Sequence, residues 1–477
     1  MRVLLADPPQ REDHYDLSYP NLGIMYLTSY LRRHSPVPVD VQYLQGFTDL
    51  EGHLREIERT APQIYGLSFA LWTSQLAYRT LEAVRQRFPK LPIICGGPQP
   101  TSAYQEALAE GRADVCVLGE GENTMLDLVQ HFRTGQPALT DIPGIAFRNP
   151  SGKVVVTEKR AFIKDISTIP LPAWDMVDLA PYTGMHINRA SPQTHILVSR
   201  GCPFDCNFCA NPVWKYNKPW VRTRSPENIA EEVELLYKKG VREIYMTSDE
   251  FNVTEKWSVD VARAIEALGH QDMYFQANVR ADVFTEEIAK AFRSINLWMV
   301  HLGIESGNQR TLDGIGKRTT TEQVENACRL LRAQGISVFG FVMAFHAWEE
   351  EGRLCWETPQ DVNRTLKFCH RLLSKGLIQY MSWQVATPMP GSRLHKVAER
   401  YGLLPTREIN NPWTHNMLLP GIGPGEVRWA VRKGMLLKDF YLVKNGHLNL
   451  KHLWRARTNL RVLVGLDPKA KSRAVAR

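Results

Sequence analysis

Residues 199–210 read Ser-Arg-Gly-Cys-Pro-Phe-Asp-Cys-Asn-Phe-Cys-Ala and place Cys202, Cys206 and Cys209, three of the eight cysteines of the chain, in a C-x3-C-x2-C pattern. A [4Fe–4S] cluster is commonly held by cysteine thiolates, one for each iron. Three thiolates on one short loop leave the fourth iron open to a small ligand. The pattern therefore predicts a cluster that holds S-adenosylmethionine (SAM) at its open iron through the amino and carboxylate groups.

Two plainer explanations compete with a cluster. A structural zinc site needs four nitrogen or sulfur ligands, typically from C-x2–4-C pairs, and no fourth Cys or His follows the loop closely, while His195 precedes it on a strand-like run. Coincidence would give this spacing in about two chains per thousand at this cysteine frequency. Both explanations account for less of the pattern than a cluster does.

The string from Gly201 to Cys209 resembles the cluster loop of the radical SAM enzymes, with Phe208 as the aromatic residue before the third cysteine. The chain as a whole resembles the cobalamin-binding branch of that superfamily. The resemblance implies a [4Fe–4S] cluster, SAM and cobalamin as cofactors. It also implies a reductant such as flavodoxin or ferredoxin.

Composition predicts a cytoplasmic protein of two or three globular domains. The chain has 477 residues, 44% hydrophobic and 23% charged, and its amino terminus does not read as a signal peptide. No apolar run approaches the roughly 18 residues that span a bilayer. Cysteines are then expected to bind metal or to fill the core rather than to form disulfides. The core cysteines predicted from apolar segments are Cys95, Cys116, Cys328 and Cys369.

The net charge of +8 is concentrated in one segment. Residues 451–477 contain eight basic residues and one acidic residue, so residues 1–450 are almost neutral. A neutral body argues against a nucleic-acid partner. The basic tail is expected to cap the barrel, to remain solvated, or to make a peripheral contact with a partner or an anionic membrane.

Residues 1–135 alternate short β-branched strands with amphipathic helices, which predicts a doubly wound (Rossmann-like) parallel sheet. Such sheets bind ligands beyond the carboxyl ends of their strands. Gly-Gly-Pro-x-Pro-Thr and Gly-Glu-Gly-Glu at this edge resemble the cobalamin-binding domain of the same branch. The residues that the resemblance assigns to cobalamin are Ser68, Gly96, Gly97, Thr101, Gly119, Glu120, Gly121 and Glu122.

One string expected of other cobalamin folds is missing. No D-x-H-x-x-G occurs, whose histidine ligates cobalt from below, and His14, His34 and His53 are expected to be surface or packing residues. Many members of the branch also lack this string. The alternative is a flavodoxin-like domain that serves structure or another ligand.

Residues 136–190 are rich in Pro and Gly and read as a connector, with one hairpin around residues 149–152 and with Trp174 at a domain junction. Residues 191–400 contain six βα units, which predicts a partial (β/α)6 TIM-type barrel. Barrels of this kind place their sites on the loops after the strands, where the three cysteines fall. Residues 401–477 form a helical carboxyl-terminal region that ends in the basic tail.

Polar residues follow three further barrel strands. Carboxylates there suit the ammonium or ribose hydroxyls of SAM, and an arginine suits its carboxylate. The Gly-Ile-Glu-Ser-Gly and Asn-x-Arg-Ala-Asp strings also look like SAM-contacting elements of the family. The expected SAM residues are Phe208, Asp249, Glu250, Asn278, Arg280, Glu305 and Ser306, and surface ion pairs are the alternative for each charged one.

The loop after the fifth barrel strand departs from the family. Many relatives read Gly-x-Pro-Gly-Glu-Thr, whereas residues 344–358 form a longer segment that brings His346, Trp348, Cys355 and Trp356 to the barrel mouth. We expect this segment to shape the substrate pocket. His346 and Cys355 are secondary candidates for a catalytic role, and loop packing is the alternative. Arg222 and Arg224 are expected to pack around the cluster.

These features predict a radical SAM enzyme that methylates an unactivated carbon through a 5′-deoxyadenosyl radical and methylcobalamin. The substrate would be a small molecule, a natural product or a lipid-like compound. A second hypothesis is a cyclase, oxidase or rearrangement enzyme of the same branch, as in anaerobic tetrapyrrole ring formation. A third is an iron–sulfur sensing protein without catalysis that reads nucleic acid through its tail.

Overall fold

The first parallel sheet occupies the amino-terminal part of the chain, and the computed structural model describes residues 1–10, 18–405 and 416–446. His14 and the basic tail lie outside the described residues. The strands of this sheet are β1 (Arg2–Ala6), β2 (Asp40–Leu44), β3 (Ile64–Ser68), β4 (Ile93–Gly96), β5 (Val115–Val117), β6 (Ile145–Arg148) and β7 (Val154–Val156). Their order is β2-β1-β3-β4-β5-β6-β7, and β1 to β5 are parallel.

Helices cover both faces of this sheet, which confirms the doubly wound prediction. They are α1 (Leu22–His34), α2 (Leu50–Thr60), α3 (Ser74–Arg87), α4 (Pro98–Ser102), α5 (Tyr104–Leu108) and α6 (Glu122–Thr134). Side chains alternate between the faces, so Val3 and Leu5 pack in one core while Leu4 and Ala6 pack in another. The chain from Pro98 to Leu108 forms two short helices, α4 and α5, which are separated by Ala103.

The hairpin placed in the connector belongs to this sheet. Its strands β6 and β7 are antiparallel, and Phe147 of β6 pairs with Val115 of β5. This corrects the expected end of the sheet near residue 135. Ile145 and Phe147 are buried in the same core as β1, so the pairing covers the edge of the three-residue strand β5 with apolar side chains.

The second sheet confirms the partial barrel. Six parallel strands lie side by side in chain order, as an open sheet whose two edge strands are the first and the last. They are β8 (Gln193–Leu197), β11 (Glu243–Thr247), β12 (Tyr274–Val279), β13 (Leu297–Glu305), β14 (Ser337–Ala344) and β17 (Tyr380–Val385). Two short pairs accompany them: β9 (Ser199–Arg200) with β10 (Arg222–Thr223), and β15 (Ala347–Glu350) with β16 (Arg353–Trp356).

Helices follow the strands of this sheet along the chain. They are α7 (Pro226–Lys238), α8 (Glu255–Glu266), α9 (Glu286–Ser294), α10 (Gln309–Gly314), α11 (Thr321–Ala333), α12 (Pro359–Ser374), α13 (Arg393–Arg400) and α14 (Pro424–Lys444). The helices α10 and α13 pack against the hairpin strand β15. Local capping explains several starts; Thr358 caps α12 in a capping box with Asp361, and Pro359 occupies the first helical position. None of the helices in the described ranges combines the length and apolar content needed to cross a membrane.

Trp174 lies between the two sheets' domains, as predicted. Its ring is 2% exposed in a cluster with Met25 of α1 and Ile229 of α7, and its indole N–H donates to Glu232 at 2.8 Å. The four predicted core cysteines are buried. The two domains therefore share an apolar junction as well as a connecting chain.

Candidate functional site

The three cysteines lie on the loop after β8, at the carboxyl end of the barrel sheet. Gly201 starts this cysteine loop (residues 201–210) at a φ of +81°, and a Cβ there would collide with the carbonyl oxygen of Trp220. Only glycine suits both the dihedral angle and the close approach. Cys206 is buried, and Cys202 and Cys209 are partly buried.

Hydrogen bonds from the backbone and from one side chain fix the loop from three sides. The amide of Asn207 donates to Ile315 O at 2.8 Å, and its side-chain amide donates to Ala347 O at 2.8 Å. The amide of Leu394 donates to Asn207 O at 2.8 Å. These bonds tie the loop to the segments after β13, β14 and β17, so its cysteines keep a fixed place at the barrel mouth.

Burial raises the pKa of Cys202 to about 12 and that of Cys209 to about 11, so both are thiols until a cation replaces the proton. No group of three or more Cys, His, Asp or Glu side chains within residues 1–10, 18–405 and 416–446 is arranged to hold a single metal ion. Three thiols on one fixed loop are the donor set that a [4Fe–4S] cluster uses. The residues fit the predicted group.

Glu250 follows β11 and carries a buried carboxylate without a hydrogen-bond donor. The residue is 1% exposed, and neither carboxylate oxygen has a partner among the described residues. The nearest cation is Arg280, whose Nε is 3.9 Å from Oε2. Burial raises the pKa of Glu250 to about 8. A buried acceptor pair of this kind suits an amino group, which offers N–H donors.

Asp249 follows β11, and Asn278 lies near the end of the neighbouring strand β12. Asp249 is exposed. Asn278 accepts from the hydroxyl of Tyr245 at 2.6 Å and donates to Ser248 O at 2.9 Å. Asp249 is accessible to a ligand while its carboxylate accepts hydrogen bonds from Gly201 N and the Asn211 side chain, and Asn278 holds the neighbouring strand end in place.

Arg280 has protein partners where the sequence led us to expect the SAM carboxylate. Its Nε and Nη2 donate to the two carboxylate oxygens of Asp282, both at 2.9 Å. Nη2 also donates to Lys317 O at 2.6 Å, and Nη1 points to the sulfur of Cys206 at 3.8 Å. The bidentate acceptor is Asp282, only two residues away.

Glu305 also has a protein partner. It lies at a bulge at the end of β13 with a φ of +59°, an uncommon angle for a residue other than glycine. Its carboxylate accepts from Lys317 Nζ at 3.0 Å, and the two side chains are 8% and 7% exposed. The pair supplies a buried cation and a buried anion beside the cysteine loop.

Ser306 belongs to a network under the inserted hairpin. Its hydroxyl donates to Glu357 at 3.0 Å and also lies 2.9 Å from the hydroxyl of Thr365. Burial raises the pKa of Glu357 to about 7. These contacts account for Ser306 without a ligand and anchor the chain where β16 ends.

The inserted segment folds as the hairpin β15–β16. His346, which directly precedes β15, is fully buried with its ring 5.8 Å from that of Phe208, and burial lowers its pKa to about 4. Trp348 is 2% exposed and packs against Gly314, where a Cβ would collide with its indole ring. Cys355 is partly buried beside Glu350. His346 therefore supports the cysteine loop from behind.

The residues assigned to cobalamin lie at the edge where β3, β4 and β5 end. Gly97 has a φ of +98°, and a Cβ there would sit 2.8 Å from Phe69 O and 3.1 Å from the hydroxyl of Ser68. Thr101 Oγ1 donates to Gly97 O at 2.9 Å and accepts from Gly119 N at 3.2 Å. Trp72, 43% exposed, lies on the loop after β3. A bare backbone and an accessible indole suit a large, flat ligand.

Glu120 and Glu122 instead pair with arginines of the barrel domain. Glu122 accepts from Arg200 at 2.6 Å, and Glu120 accepts from Arg222 at 2.9 and 2.5 Å. Arg200 also lies 3.3 Å from Glu120. Arg200 directly precedes Gly201. These pairs therefore connect the edge of the first sheet where β3, β4 and β5 end, here called the cobalamin edge, to the start of the cysteine loop.

Aromatic side chains line the inner face of the barrel sheet. On β14 the inward residues Phe339 and Phe341 remain partly accessible, while their neighbours on the strand pack in the core. Aromatic ring pairs continue from β11 across β13 and β14 to β17, through Tyr245, His301, Phe339, Phe341 and Tyr380. The inner face thus offers a mainly aromatic surface below the cysteine loop.

The first domain closes one open edge of the barrel. Tyr19 stacks on His195 of the edge strand β8 with ring centroids 4.5 Å apart, and its hydroxyl donates to Gln193 at 2.9 Å. His195 Nε2 donates to Pro20 O at 2.9 Å. Burial lowers the pKa of His195 to about 4, so the ring is neutral. This histidine makes a domain contact and is not a metal ligand.

Sequence reasoning missed three residues that shape the site. Lys317 lies in a polar stretch with no motif, and nothing local indicates its burial. Arg200 adjoins the cysteine motif and Arg222 was assigned to packing, but their acidic partners lie 78 and 102 residues away. Such pairs become visible only when the two domains are in place.

Two family models match the chain. The Radical SAM superfamily model matches residues 196–354, and the B12 binding domain model matches residues 13–129. The two matches together cover more than half of the chain.

Relatives with assigned names match along most of their length. An uncharacterized methyltransferase of Pyrococcus horikoshii is 29% identical over 418 residues, which is 85% of this chain and 85% of that protein. The anaerobic magnesium-protoporphyrin IX monomethyl ester cyclase of Rubrivivax gelatinosus is also 29% identical, over 83% of this chain and 69% of the cyclase.

Among solved structures, the cobalamin-dependent SAM radical enzyme OxsB with aqua-cobalamin and SAM bound is similar in fold. The TM-score is 0.73 at 19% identity, and the likeness covers 97% of this chain and 70% of OxsB. The order of the two domains is therefore a known arrangement.

Proposed function

The chain belongs to the cobalamin-dependent radical SAM enzymes, and we propose that within this family it transfers a methyl group to an unactivated carbon of a small-molecule substrate. The observation that carries the proposal is the pairing of Arg200 and Arg222 with Glu122 and Glu120. These pairs hold the cobalamin edge against the base of the cysteine loop. Methyl transfer between two cofactor sites needs such a shared interface.

Each set of residues has a place in this scheme. Cys202, Cys206 and Cys209 would hold the cluster, and Glu250 would accept hydrogen bonds from the amino group of SAM with Asp249 nearby. Ser68, Gly97 and Thr101 would face cobalamin. When bound, the cluster and SAM supply the radical that activates a C–H bond, and cobalamin supplies the methyl carrier. The protein positions these groups and excludes water from them.

The barrel lining favours a substrate with a flat or apolar body. Phe339, Phe341 and Tyr380 are only partly buried on the inner face, so they offer aromatic surface to a ligand. The hairpin β15–β16 borders the mouth and would limit the length of that body. Natural products and lipid-like compounds both satisfy this description.

A cyclase or rearrangement enzyme of the same family is the second candidate function. The 29% identity to a magnesium-protoporphyrin ester cyclase favours it, and a flat tetrapyrrole would suit the same aromatic lining. The methyltransferase is preferred because its relative matches a larger part of both chains. Product analysis separates the two.

The test is an anaerobic reaction of reconstituted protein with SAM, a reductant and an extract of small metabolites, with and without hydroxocobalamin. Methyl-labelled SAM follows the transferred group by mass spectrometry. Cobalamin-dependent formation of both S-adenosylhomocysteine and 5′-deoxyadenosine, with label in a metabolite, supports methyl transfer. Deoxyadenosine alone supports the second function. Neither product above the level of Cys202→Ala, in protein that contains its cluster, would contradict both.

The proposed reaction needs an external electron. A one-electron donor of the flavodoxin or ferredoxin class would reduce the cluster.

A surface of α14 suits contact with a membrane. Its apolar stripe, formed by Leu436, Phe440 and Val443, is 58–61% exposed and ends beside Lys444. The 27 residues from 451 to 477 carry a net charge of +7. An anionic membrane surface is the occupant that complements both features.

Sedimentation with vesicles tests this contact. Full-length protein should sediment with phosphatidylglycerol-containing vesicles and not with pure phosphatidylcholine vesicles. Phe440→Ala should weaken the association several-fold, whereas Val156→Ala, at an exposed apolar position of β7, should not. Equal recovery with both vesicle types would refute an electrostatic contact.

A further inference from the structure

Arg280 is held in one orientation beside the cysteine loop. Its backbone N–H and C=O bond to the side-chain amide of Asn252, both at 2.9 Å. Its guanidinium binds Asp282 through Nε and Nη2, and Nη2 also donates to Lys317 O and, at 3.1 Å, to Thr319. The remaining amino group, Nη1, lies on the side of the guanidinium opposite to this fork. These contacts prevent Nη1 from turning away from the cysteine loop.

That amino group faces a predicted cluster ligand. Nη1 is 3.8 Å from the sulfur of Cys206, a hydrogen-bond distance for sulfur, and the guanidinium carbon lies 3.5 Å above the ring of Phe204. Arg280 is 6% exposed and Cys206 is 7% exposed. A charge and an N–H donor so close to a thiolate, and shielded from water, act on it strongly.

A second buried cation adds to this field. Lys317 is 6% exposed, and its ammonium group interacts electrostatically with Cys206 while it pairs with Glu305. Its carbonyl oxygen is also an acceptor for Arg280. The two cations are therefore linked in one assembly beside a single cysteine.

Hydrogen bonds to the sulfurs and the local net charge help to set the reduction potential of an iron–sulfur cluster. Reduction adds a negative charge to the cluster. A cation and an N–H donor at Cys206 stabilise the reduced form more than the oxidised form, and so raise the potential.

We propose that Arg280 is a positioning residue that raises the reduction potential of the cluster through its contact with Cys206, and that Lys317 supports it. This inference rests on the proposed function, because it requires a cluster on the three cysteines. It gives Arg280 a role different from binding the SAM carboxylate. Asp282 then orients Arg280 toward the sulfur.

The experiment is a redox titration of the full chain, reconstituted with iron and sulfide and followed by electron paramagnetic resonance without SAM. At the potential where half of the wild-type clusters are reduced, Arg280→Gln should lower the ratio of reduced to oxidised cluster at least tenfold, which is 59 mV for one electron. Arg280→Lys keeps the charge and should lower it less. Arg242→Gln, at the amino end of β11 and away from the cysteine loop, should match the wild type.

Iron and sulfide content separates this inference from the proposed function. A wild-type chain that binds no cluster contradicts the proposed function. An Arg280→Gln protein with full cluster content and the wild-type potential overturns the inference. If Arg280→Gln takes up no cluster, Arg280→Lys decides, because it keeps the positive charge and removes the fixed N–H donor to Cys206. A lower potential than the wild type in Arg280→Lys supports the inference, and the wild-type potential overturns it.

Discussion

Arg222 donates two hydrogen bonds to the carboxylate of Glu120, at 2.9 and 2.5 Å, from the barrel domain to the first domain. The two side chains are 4% and 15% exposed. Arg222 lies on β10, which pairs with the strand β9 that leads into the cysteine loop. Glu120 lies on the loop after β5, among the residues assigned to cobalamin. The pair therefore sets the separation between the two predicted cofactor sites.

Removal of one partner should destabilise this junction. Arg222→Met leaves the Glu120 carboxylate buried without its main cation. The free energy of unfolding should therefore fall by about 3 kcal/mol. The double variant with Glu120→Gln should cost less than the sum of the single variants. Thermal and urea unfolding give these differences. Glu56→Gln breaks the exposed pair with Arg59 on α2 and should change stability by no more than about 0.5 kcal/mol; equal effects at both pairs would contradict a special role for Glu120.

The cysteine loop should bind iron only when all three cysteines are present. Cys202→Ala, Cys206→Ala and Cys209→Ala should each lose most of the iron and sulfide of reconstituted protein, because each removes one of the three thiolates. The matched control is Cys355→Ala on β16, which should keep the full content. Iron and sulfide analysis with visible absorption measures the outcome. Loss of iron in the control would place a ligand outside the loop.

SAM binding should depend on pH through Glu250. The free carboxyl has a pKa of about 8, raised by burial, so it is mostly protonated at pH 6 and becomes an anion as the pH rises. An anionic carboxylate accepts hydrogen bonds from the SAM amino group, whose own pKa is about 8, so affinity for SAM should increase from pH 6 to pH 8.5. Glu250→Gln should bind SAM at least tenfold more weakly and keep only the shallower dependence that comes from the SAM amino group. Isothermal titration of cluster-loaded protein provides the values, and a flat profile in the wild type would argue against the assignment.

The same group should affect stability with the opposite sign. In the unfolded chain the Glu250 carboxyl ionises near the ordinary glutamate pKa of 4.5, whereas the folded protein retains the proton up to about pH 8. The folded state binds more protons in this interval, so stability falls as the pH rises from about 4.5 to 8. In Glu250→Gln the free energy of unfolding should therefore fall less over this pH interval than in the wild type. Denaturant unfolding of the SAM-free protein at pH 5, 6.5 and 8 compares the two chains, and parallel curves would refute the sign.

Gly201 and Gly240 make a matched pair of substitutions. Both have a positive φ, +81° and +88°, so alanine causes backbone strain at each. A Cβ at Gly201 would also collide with Trp220 O, whereas nothing lies within 4 Å of one at Gly240. Gly201→Ala should therefore lose cluster binding as well as stability, while Gly240→Ala should lose about 1 kcal/mol of stability and keep its iron. Unfolding midpoints measure the backbone strain that both variants share. Iron content shows whether the steric collision at Gly201 also prevents cluster binding.

The fold was largely predictable because its signals are local. Strands such as Glu243–Thr247 and helices such as Leu22–His34 and Pro359–Ser374 follow from hydrophobic spacing and capping residues, and the structure has them at these bounds. The cysteine loop was predictable from spacing alone. By contrast, the pairing of β6 with β5 joins segments that are separated by α6, and no local pattern indicates it.

Roles within the site were less predictable than its location. The sequence places Glu120, Glu122 and Arg280 at strand ends, which the structure confirms. It does not show that Arg200 and Arg222 reach the two glutamates, or that Asp282 takes both hydrogen bonds expected for a ligand. Ion pairs depend on the relative position of elements far apart in the chain. The carboxylate of Glu250 differs because its burial leaves it without a hydrogen-bond partner among the described residues.

The contact of Tyr19 and Pro20 with the edge strand β8 has a consequence for the exchange of domains between relatives. A recombination breakpoint near residue 190 would separate His195 from the tyrosine and the carbonyl oxygen that cover it. A transplanted barrel would then expose the ring of His195 at the edge of its sheet, which invites aggregation. Chimeras that fold should therefore take residues 18–21 from the same parent as the barrel. The residues that must be exchanged together thus lie on both sides of the domain boundary.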